Sequence, residues 1–346
     1  MIGAGIIGLS LALELRKKGA NVLIVERGEP GREASHSAGG MLVDCLIETP
    51  APLQTLATAS AAMYPEFAHE VEIESGLKVD LRDNGTLWLG AHHSGIDDAF
   101  LSDHPLPAPL VELEPALAPG VGPAIFLKER SVDPRALTRA AWQAAKNRGV
   151  DFSSGDEATR VDLFDGRVAG VTTTKTSLCA PRVVNCTGAW SGQIGPHPIP
   201  TRPVKGQMLC LIMQPRDLLE HVIRSPQVYL IPRSDGRLLV GATVEEAGFD
   251  KRTDIPTIER LHHAALELVP ALRDAKILED WAGLRPGTPD NLPVLGATPT
   301  RGYFVATGHF RDGILLAPIT AKIMADVIAD AKLEYDLTPF SLARFS

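Results

Sequence analysis

The apolar positions near the start of the chain predict one helix followed by one strand. Between residues 9 and 15 the apolar side chains recur close to the 3.6-residue period of an α-helix. Two lysines and Gly19 follow, which favours a helix end because cations suit the negative end of the helix dipole and glycine suits a left-handed cap. The run 21–25, which is apolar from Val22 to Val25 and leads directly into Glu26, then predicts a strand.

A glycine-rich turn stands directly before that helix. Residues 3–8 read G-A-G-I-I-G, where Gly3 permits a tight turn, Gly5 lets the backbone approach a pyrophosphate, and Gly8 lets the helix pack on a sheet. Glu26 follows Gly8 by 18 residues, near the spacing of an acid that binds a ribose 2′-hydroxyl. A lone glycine pattern is often only a packing turn, but the whole unit indicates dinucleotide binding. A carboxylate at this position repels the 2′-phosphate of NADP and leaves NAD or FAD.

The strand before the glycine turn is short in this sequence. Only Met1 and Ile2 precede the first glycine, whereas such a unit normally opens with a buried strand of about five residues. We therefore expect a shortened central strand. A misassigned start or a shortened chain is favoured over the alternative, a protein with impaired cofactor binding.

The segment after Glu26 favours FAD over NAD. An NAD-binding domain would soon continue with another helix and parallel strand, but residues 28–40 are rich in Gly, Ser, Ala and His and predict a loop. Small side chains and backbone donors at 35–41 suit a segment that runs along a long cofactor toward its reactive ring. The alternative is an ordinary surface loop.

Two later stretches, 79–134 and 201–280, alternate like strands and are interrupted by polar turns. Asn84-Gly85 and the tetrapeptide 234–237 are each typical of a β-hairpin turn. We therefore expect these stretches to form a largely antiparallel sheet.

The whole pattern predicts an α/β fold. Residues 134–147 and 257–268 predict helices, and five prolines between 105 and 119 predict an irregular loop. A Rossmann-like FAD-binding domain would be joined to a second, largely antiparallel β-sheet domain that binds the substrate. The predicted division assigns 1–78, 140–200 and 281–346 to the first domain and 79–139 and 201–280 to the second.

Composition and charge argue against several classes of protein and partner. With 45% hydrophobic and 22% charged residues and no tract of one residue type, the chain is globular rather than disordered or fibrous. Lysine and arginine number 34 against 42 acidic residues, a net charge of −8 with no basic block, so we expect no nucleic-acid partner. No segment reaches the roughly 18 uninterrupted apolar residues of a membrane span, and we expect no membrane contact.

The cysteines and histidines predict neither a disulfide nor a metal site. The cysteines show no C-x-x-C spacing, and each lies in an apolar stretch where free cysteine behaves as a small hydrophobe. They are Cys45, Cys179, Cys186 and Cys210. We therefore expect a reduced, cytoplasmic setting. The adjacent pairs His92-His93 and His262-His263 point to different faces, which favours surface histidines over metal ligands.

Four further motifs carry a resemblance to a known family. They read RVVNCTGAWS at 182–191, PVKGQ at 203–207, WAGLRPGT at 281–288 and GHFRDGILLAP at 308–318. With them the chain resembles the D-amino-acid oxidase superfamily of flavoproteins, and most of all its glycine oxidase branch, associated with thiamin thiazole synthesis. The resemblance runs nearly end to end, and several motifs in family order are stronger evidence than the glycine turn alone.

The resemblance implies a bound FAD. The flavin is expected to be noncovalent, because relatives with attached flavin carry a cysteine near Arg285 and this chain has none there. The apolar run 314–328 predicts a helix whose positive N-terminal end faces the flavin. The glycine turn and the resemblance together place the cofactor contacts at Gly3, Gly5, Ile6, Ile7, Gly8, Glu26, Arg27, Ala34, Ser35, Gly39, Gly40, Met41, Ala158, Thr187, Gly188, Trp190, His309, Phe310, Arg311, Asp312, Gly313, Ile314 and Leu315.

The resemblance also implies the substrate residues. It places Arg285 opposite the flavin, where the guanidinium fork binds the substrate α-carboxylate through two parallel charged hydrogen bonds. Tyr229 is the matching second contact, Arg311 matches a pocket residue with an electrostatic role, and these three are the candidate catalytic residues. Met41 is a further substrate contact. Without the family match, Arg285 is equally well explained by a surface ion pair and Tyr229 by core packing.

The activity implied by the resemblance is the oxidative deamination of glycine or another small amino acid or amine, such as sarcosine or a small D-amino acid. The imine hydrolyses to an oxoacid and ammonia, and dioxygen becomes hydrogen peroxide, with a role in thiamin biosynthesis. Such a reaction depends on positioning and electrostatics, which explains why the sequence shows no triad or paired carboxylates. The resemblance further implies a homo-oligomer, with a tetramer among the expected states.

Two other functions stay open. A D-amino-acid dehydrogenase that passes electrons to a membrane quinone shares the Arg285-Pro286 neighbourhood, but the motif at 310–313 and the lack of a membrane-docking segment favour the oxidase. A flavin-binding protein without turnover is the second, given the shortened first strand. The oxidase half of a tRNA-modifying enzyme is disfavoured by the net charge of −8.

Overall fold

The helices and strands below come from a computed structural model of the protein, which describes residues 1–44, 49–91 and 98–345. The α-helices in this part of the chain are α1 (Ile6–Lys17), α2 (Ala34–Ser37), α3 (Gln54–Ser75), α4 (Asp98–Asp103), α5 (Leu110–Leu113), α6 (Pro134–Asn147), α7 (Ile255–Leu268) and α8 (Ala317–Ile328). Short 3₁₀ helices lie at Ala51–Leu53, Gly188–Gln193, Pro270–Asp274, Thr338–Phe340 and Leu342–Phe345.

The strands of the described residues fall into five hydrogen-bonded groups. Their bounds are β1 (Leu23–Glu26), β2 (Met41–Leu42), β3 (Leu81–Arg82), β4 (Thr86–Leu89), β5 (Ala124–Leu127), β6 (Arg130–Val132), β7 (Asp151–Ser154), β8 (Ala158–Phe164), β9 (Arg167–Thr173), β10 (Ser177–Cys179), β11 (Val183–Asn185), β12 (Arg202–Ile212), β13 (Val222–Arg224), β14 (Tyr229–Pro232), β15 (Arg237–Gly241), β16 (Lys276–Gly287), β17 (Val294–Ala297) and β18 (Tyr303–Thr307).

A parallel arrangement forms around the glycine turn. β1 pairs in parallel with β7, and β11 pairs in parallel with β18, while β17 joins β18 in the antiparallel sense. Residues 1–3 lie between the two pairs. The N–H of Ile2 donates to the carbonyl of Val184, and the N–H of Gly3 donates to that of Val25, both at 2.9 Å. The central strand is as short as expected, yet it hydrogen-bonds to both of its neighbours.

Helix α1 follows this turn as predicted, and its end is explained by local backbone chemistry. Gly19 has φ +79°, which favours glycine. The N–H of Gly19 donates to the carbonyl of Arg16 and the N–H of Ala20 to that of Leu15, both at 3.0 Å, which is the Schellman pattern of a helix end.

The largest sheet has seven strands in the order β16-β12-β15-β14-β13-β4-β5, and every neighbouring pair is antiparallel except β13 with β4. Helix α7 packs on one face, where Leu209, Leu230 and Val240 join Leu261 in an apolar core. The opposite face carries Met208 and Tyr229 and points toward the parallel sheet side of the molecule. The prediction of a largely antiparallel sheet is confirmed.

One of the two predicted hairpins forms. The turn at 234–237 joins β14 to β15, as predicted. The hairpin predicted at Asn84-Gly85 is wrong, because β3 pairs with β6 whereas β4 pairs with β5 and β13. Gly85 has φ +90°, and a Cβ there would stand 2.4 Å from the ring of Phe126. Glycine is needed at this position because the backbone passes close to the ring of Phe126, and not because two strands turn there.

The predicted helices form with small shifts. α6 matches 134–147, and α7 begins at Ile255 because the carboxylate of Asp254 caps it by accepting from the N–H of Thr257. α8 begins at Ala317, not at 314, because Pro318 suits the first turn of a helix and marks its start there. The loop predicted at 28–40 contains the single helical turn α2, and α5 interrupts the proline-rich loop.

Two large apolar cores correspond to the parallel and antiparallel parts of the fold. One joins α1, α3, α6 and α8 through residues such as Leu9, Tyr64 and Ile319, and the other lies between the seven-stranded sheet and α7. α6 spans the boundary that we predicted between 139 and 140 and packs into the first core. The division into two domains stays a prediction.

The cysteine and histidine predictions are met in part. Cys186 and Cys210 are buried, but Cys179 is exposed on β10, so it is no core residue, and Cys45 and the His92-His93 pair lie outside the described residues. His263 is exposed, whereas Nε2 of His262 is buried and has no hydrogen-bond partner among the described residues. No helix in the described ranges is long and apolar enough to cross a bilayer. In the same ranges no cluster of three or more acidic, His or Cys side chains is arranged around a metal position.

Candidate active site

A cavity of about 750 Å³ runs from the glycine turn to the open face of the seven-stranded sheet. Gly5 and Glu26 line one end of it, and Tyr229 and Arg285 line the other. Its volume lies in the range typical of cofactor and ligand sites, roughly 300 to 1,000 Å³. The cavity therefore connects the two parts of the molecule that the sequence marked as chemically important.

The glycine turn leaves the backbone of α1 open to the cavity. A Cβ on Gly3 would stand 2.6 Å from the carbonyl oxygen of Cys186, and one on Gly8 would stand 2.2 Å from that of Gly3. A Cβ on Gly5 would meet only the hydroxyl of Ser35, at 3.3 Å. The first and third glycines thus allow close packing, and the second faces the cavity at the positive end of the helix dipole, a position suited to a pyrophosphate.

Glu26 stands at the end of β1 beside this turn. Its Oε2 accepts from the N–H of Ala4 at 2.8 Å, and its Oε1 accepts from the N–H of Gly28 at 3.0 Å. The carboxylate lines the cavity and also fixes the glycine turn. Nearby, the Arg27 guanidinium lies 3.8 Å from the ring centroid of Trp190, and both residues line the cavity.

The segment 34–41 runs from the glycine turn toward the seven-stranded sheet. Ser35 Oγ accepts from the N–H of Ile6 at 2.9 Å. A Cβ on Gly39 would lie 2.8 Å from Cδ1 of Ile231, so the segment passes close to the sheet face. The buried Arg233 donates from Nη2 to the carbonyl of Gly39, and burial lowers the pKa of Arg233 to about 10. Sequence reasoning missed Arg233.

The motif at 308–318 closes the side of the cavity. The N–H of Phe310, whose φ is +48°, donates to the carbonyl of Pro286 at 3.0 Å. From helix α3, the Tyr64 hydroxyl donates to the carbonyl of Ile314, and the Ser60 hydroxyl donates to that of Leu315, both at 2.6 Å. These two hydroxyls fix the backbone beside the cavity, and no sequence signal marked them.

His309 is fully enclosed in the same motif. Its Nε2 lies 3.1 Å from Oγ1 of Thr320, and burial lowers the pKa of the imidazole to about 3. The ring is therefore neutral near pH 7 and contributes no charge to the cavity.

Arg285 and Tyr229 lie on the same sheet and line the same cavity. Arg285 lies on β16 and Tyr229 on β14, with β12 and β15 between them. Nη1 of Arg285 donates to the carbonyls of Thr243 at 3.1 Å and of Lys205 at 3.4 Å. Burial raises the pKa of Tyr229, and the positive charges of Arg285 and Arg311 oppose this rise. The phenol is thus neutral and can donate a hydrogen bond.

Nearly all of the predicted site residues lie around this one cavity. Every predicted cofactor and substrate residue lines it except Gly8 and Leu315, which lie directly behind its wall. Ala158 lines it at the start of β8, and Met41 lines it between the glycine turn and Tyr229. Arg311 is exposed, with its guanidinium 5.4 Å from the ring of Phe310. Individual contacts with a cofactor or substrate stay predictions.

The residues present fit a dinucleotide cofactor. The cavity offers a helix N-terminus and the open backbone of Gly5 for a pyrophosphate, and the carboxylate of Glu26 for a ribose. A Cβ on Gly5 would narrow this cradle. The parallel sheet, the glycine turn and the long cavity together define a dinucleotide-dependent protein.

The chain belongs to the family described as FAD dependent oxidoreductase (DAO), which matches residues 1–327. It is 35% identical over 361 residues to a glycine oxidase of Pseudomonas aeruginosa, a match that covers 99% of this chain and 98% of that protein. The predictions of FAD as the cofactor and of an FAD-dependent oxidoreductase of this family are confirmed.

A second similar protein and a similar solved structure agree with this family assignment. The bifunctional protein ThiO/ThiG of Synechocystis sp. is 36% identical over the whole of this chain, but the chain spans only 53% of that protein's length. The crystal structure of glycine oxidase from Geobacillus kaustophilus has a TM-score of 0.91 at 31% identity and covers 99% of this chain and 97% of that one. The predicted α/β fold is therefore confirmed.

Proposed function

We propose that the protein is an amino acid oxidase that acts on glycine or another small amino acid or amine, such as sarcosine or a small D-amino acid. The substrate loses two electrons and two hydrogens across its Cα–N bond to give an imine. Water converts the imine to an oxoacid and ammonia, or methylamine where the substrate is sarcosine, and the electrons and hydrogens reduce dioxygen to hydrogen peroxide. The observation that carries the proposal is the Arg285 guanidinium beside the Tyr229 phenol at one end of the FAD cavity.

Arg285 binds the substrate carboxylate. Two backbone carbonyls hold its Nη1, so the plane of the guanidinium is fixed before a substrate arrives. The rest of the fork offers parallel N–H groups to a carboxylate, which sets both the position and the orientation of the ligand. An orientation fixed in advance lowers the entropy cost of reaching the reactive geometry.

Tyr229 donates its hydroxyl hydrogen to the same carboxylate. Because its pKa is raised, the phenol keeps this hydrogen throughout the neutral range. Arg311, exposed at the cavity wall, adds positive charge that favours an anionic ligand. Met41 lies at the same end and limits the space beside the substrate Cα, which favours small side chains.

FAD, when bound, accepts the electrons from the substrate and passes them to dioxygen. Gly5, the N-terminus of α1 and Glu26 would hold its nucleotide half, and the backbone at 309–314 and at 39–41 would line its ring. None of these contacts requires a covalent bond, in keeping with a noncovalent flavin.

The relatives support an amino acid as substrate, since proteins similar to this chain over nearly their whole length carry the name glycine oxidase. The relatives named ThiO/ThiG support the role in thiamin biosynthesis that the resemblance implied, as part of this proposal. The homo-oligomer, with a tetramer among its states, and the cytoplasmic setting stay predictions.

A substrate panel tests the proposal. Purified FAD-loaded protein is mixed in air with glycine, sarcosine, small D-amino acids and cyclic D-amino acids, and hydrogen peroxide release is followed. Peroxide formed with at least one small substrate supports the oxidase. Reduction of an added quinone analogue without peroxide would instead establish the dehydrogenase. Flavin absorbance that no substrate bleaches would mean a flavin-binding protein without turnover.

A further inference from the structure

The PVKGQ motif at 203–207 lies beneath the substrate end of the cavity, on β12 between β16 and β15. The carbonyl of Lys205 accepts from Nη1 of Arg285. A Cβ on Gly206 would stand 2.3 Å from the same nitrogen, so the guanidinium lies directly on the backbone. These two residues of the motif form the surface on which Arg285 rests.

Gln207, the last residue of the motif, is fully buried and bonds to one segment, 243–254. Its Nε2 donates to Oε1 of Glu245 at 2.9 Å and to Oδ2 of Asp254 at 2.6 Å, and its Oε1 accepts from the N–H of Asp254 at 2.9 Å. Its backbone N–H donates to Oγ1 of Thr243, also at 2.9 Å. A buried amide whose nitrogen and oxygen are both hydrogen-bonded is rigid. Gln207 therefore holds both ends of the segment.

The start of this segment is the second anchor of Arg285. The carbonyl of Thr243 accepts from Nη1 at 3.1 Å, and its hydroxyl donates to the carboxylate of Glu245. The backbones of Lys205 and Glu245 exchange two hydrogen bonds, at 2.8 and 2.9 Å. A continuous set of hydrogen bonds thus leads from Gln207 to the guanidinium of Arg285.

The middle of the segment contacts the other end of the cavity. The ring of Phe249 lies 5.2 Å from that of Trp190, and Nζ of Lys251 lies 3.0 Å from Oε2 of Glu33. Both Trp190 and Glu33 line the cavity. One segment, fixed by one glutamine, therefore reaches both the substrate-binding arginine and the wall of the cofactor cavity.

We propose that Gln207 is a positioning residue which, with Glu245 and Asp254, clamps segment 243–254, so that this segment both fixes Arg285 for a carboxylate and braces the FAD cavity at Trp190 and Glu33. The inference rests on the proposed function only where it assigns a carboxylate to Arg285. Loosening the clamp lowers the affinity for a carboxylate and speeds the release of FAD together.

The test measures two binding properties of the FAD-loaded protein without turnover. Acetate, the simplest monocarboxylate with a methyl group, is titrated while the visible flavin absorbance is followed, which gives its Kd. FAD release is followed by the recovery of FAD fluorescence after dilution. For Gln207→Met, which keeps the volume and removes the hydrogen bonds, we expect an acetate Kd raised about tenfold. We also expect FAD release to be several-fold faster.

Matched variants separate the clamp from a general loss of stability. Glu245→Ala removes one arm of the clamp, whereas Glu246→Ala makes the same change at the exposed neighbour, which pairs with Arg202 on the surface. The first should behave like Gln207→Met, and the second like the wild type. Glu245→Gln keeps an oxygen acceptor and should restore most of the acetate affinity. In steady-state turnover, Gln207→Met should raise KM by a factor similar to that of the acetate Kd. Its kcat should stay within about twofold of the wild-type value.

Several outcomes would overturn the clamp. A folded Gln207→Met protein with the acetate Kd of the wild type would do so. If that variant does not fold, Thr243→Val, which removes only a hydroxyl, takes its place, and an unchanged acetate Kd would have the same meaning. Phe249→Ala tests the brace at Trp190, and FAD release at the wild-type rate in this variant would overturn that part of the proposal. A wild type that binds no acetate would instead contradict the carboxylate assignment of the proposed function.

Discussion

The backbone of Gly206 lies directly against the guanidinium of Arg285, so that a Cβ at position 206 would stand 2.3 Å from Nη1. Nη1 of Arg285 donates to the carbonyl of Lys205, which directly precedes this glycine, and to the carbonyl of Thr243. A side chain at 206 would therefore lift the guanidinium from its anchors and leave the strand pairing of β12 and β16 in place.

Gly206→Ala is expected to raise KM for the amino acid about tenfold or more, because the displaced guanidinium loses its fixed orientation toward the carboxylate. FAD content should not change, since the substitution lies at the substrate end of the cavity. Steady-state kinetics and the flavin-to-protein absorbance ratio measure both effects. An unchanged KM would show that the anchored position of Arg285 is not the one that binds substrate.

Arg285→Lys is expected to raise KM and to lower kcat/KM roughly thirtyfold, which corresponds to a loss of about 2 kcal/mol in transition-state stabilisation. FAD should be retained. An ammonium is a point charge and cannot make two parallel hydrogen bonds to a carboxylate. The exposed Arg273 offers a control, since Arg273→Lys makes the same change away from the cavity. If Arg285→Lys keeps the KM of the wild type, Arg285 does not contact the substrate.

Glu26→Ala is expected to weaken FAD binding about tenfold, with the rate at saturating FAD largely preserved. The carboxylate is predicted to bind the ribose, and it also accepts from the N–H groups of Ala4 and Gly28, so its loss loosens the glycine turn as well. Fluorescence titration with FAD gives the Kd. Glu29→Ala, at an exposed position that pairs with Arg32, is the control. An FAD Kd equal to that of the wild type would remove Glu26 from the cofactor site.

The buried imidazole of His309 predicts a loss of stability toward acid. Its pKa is about 3 in the folded protein, against about 6.5 in an unfolded chain. Above pH 6.5 the imidazole is neutral in both states and adds no pH dependence. Between these values only the unfolded state binds the proton, so the free energy of unfolding falls as pH falls, by about 1.4 kcal/mol per pH unit.

Urea unfolding of the wild type and of His309→Gln between pH 4 and pH 7, at one fixed excess of FAD, measures this contribution. The difference in the free energy of unfolding between the wild type and His309→Gln should change steadily below pH 6.5 and stay constant above it. A difference that is independent of pH across this range would show that the imidazole of His309 has the same pKa in the folded and unfolded protein, and would contradict its burial as a neutral group.

Much of the local structure could be read from the sequence. The glycine pattern at 3–8, the helix that is terminated by Gly19 and the turn at 234–237 all form, because each depends on residues that are neighbours along the chain. The same kind of pattern misled at Asn84-Gly85. There the need for a left-handed glycine arises from contact with Phe126, more than forty residues further on, which no local pattern can reveal.

What only the tertiary structure decided is which distant residues meet. Sequence motifs named Arg285 and Tyr229, but the strand order β16-β12-β15-β14 sets the distance between them. It also brings Gly206 against Arg285, and packing against α3 lets the hydroxyls of Ser60 and Tyr64 fix the backbone beside the cavity. Periodicity and turn residues fix each element by itself, whereas the pairing of strands far apart in the chain depends on how all the apolar faces are buried together.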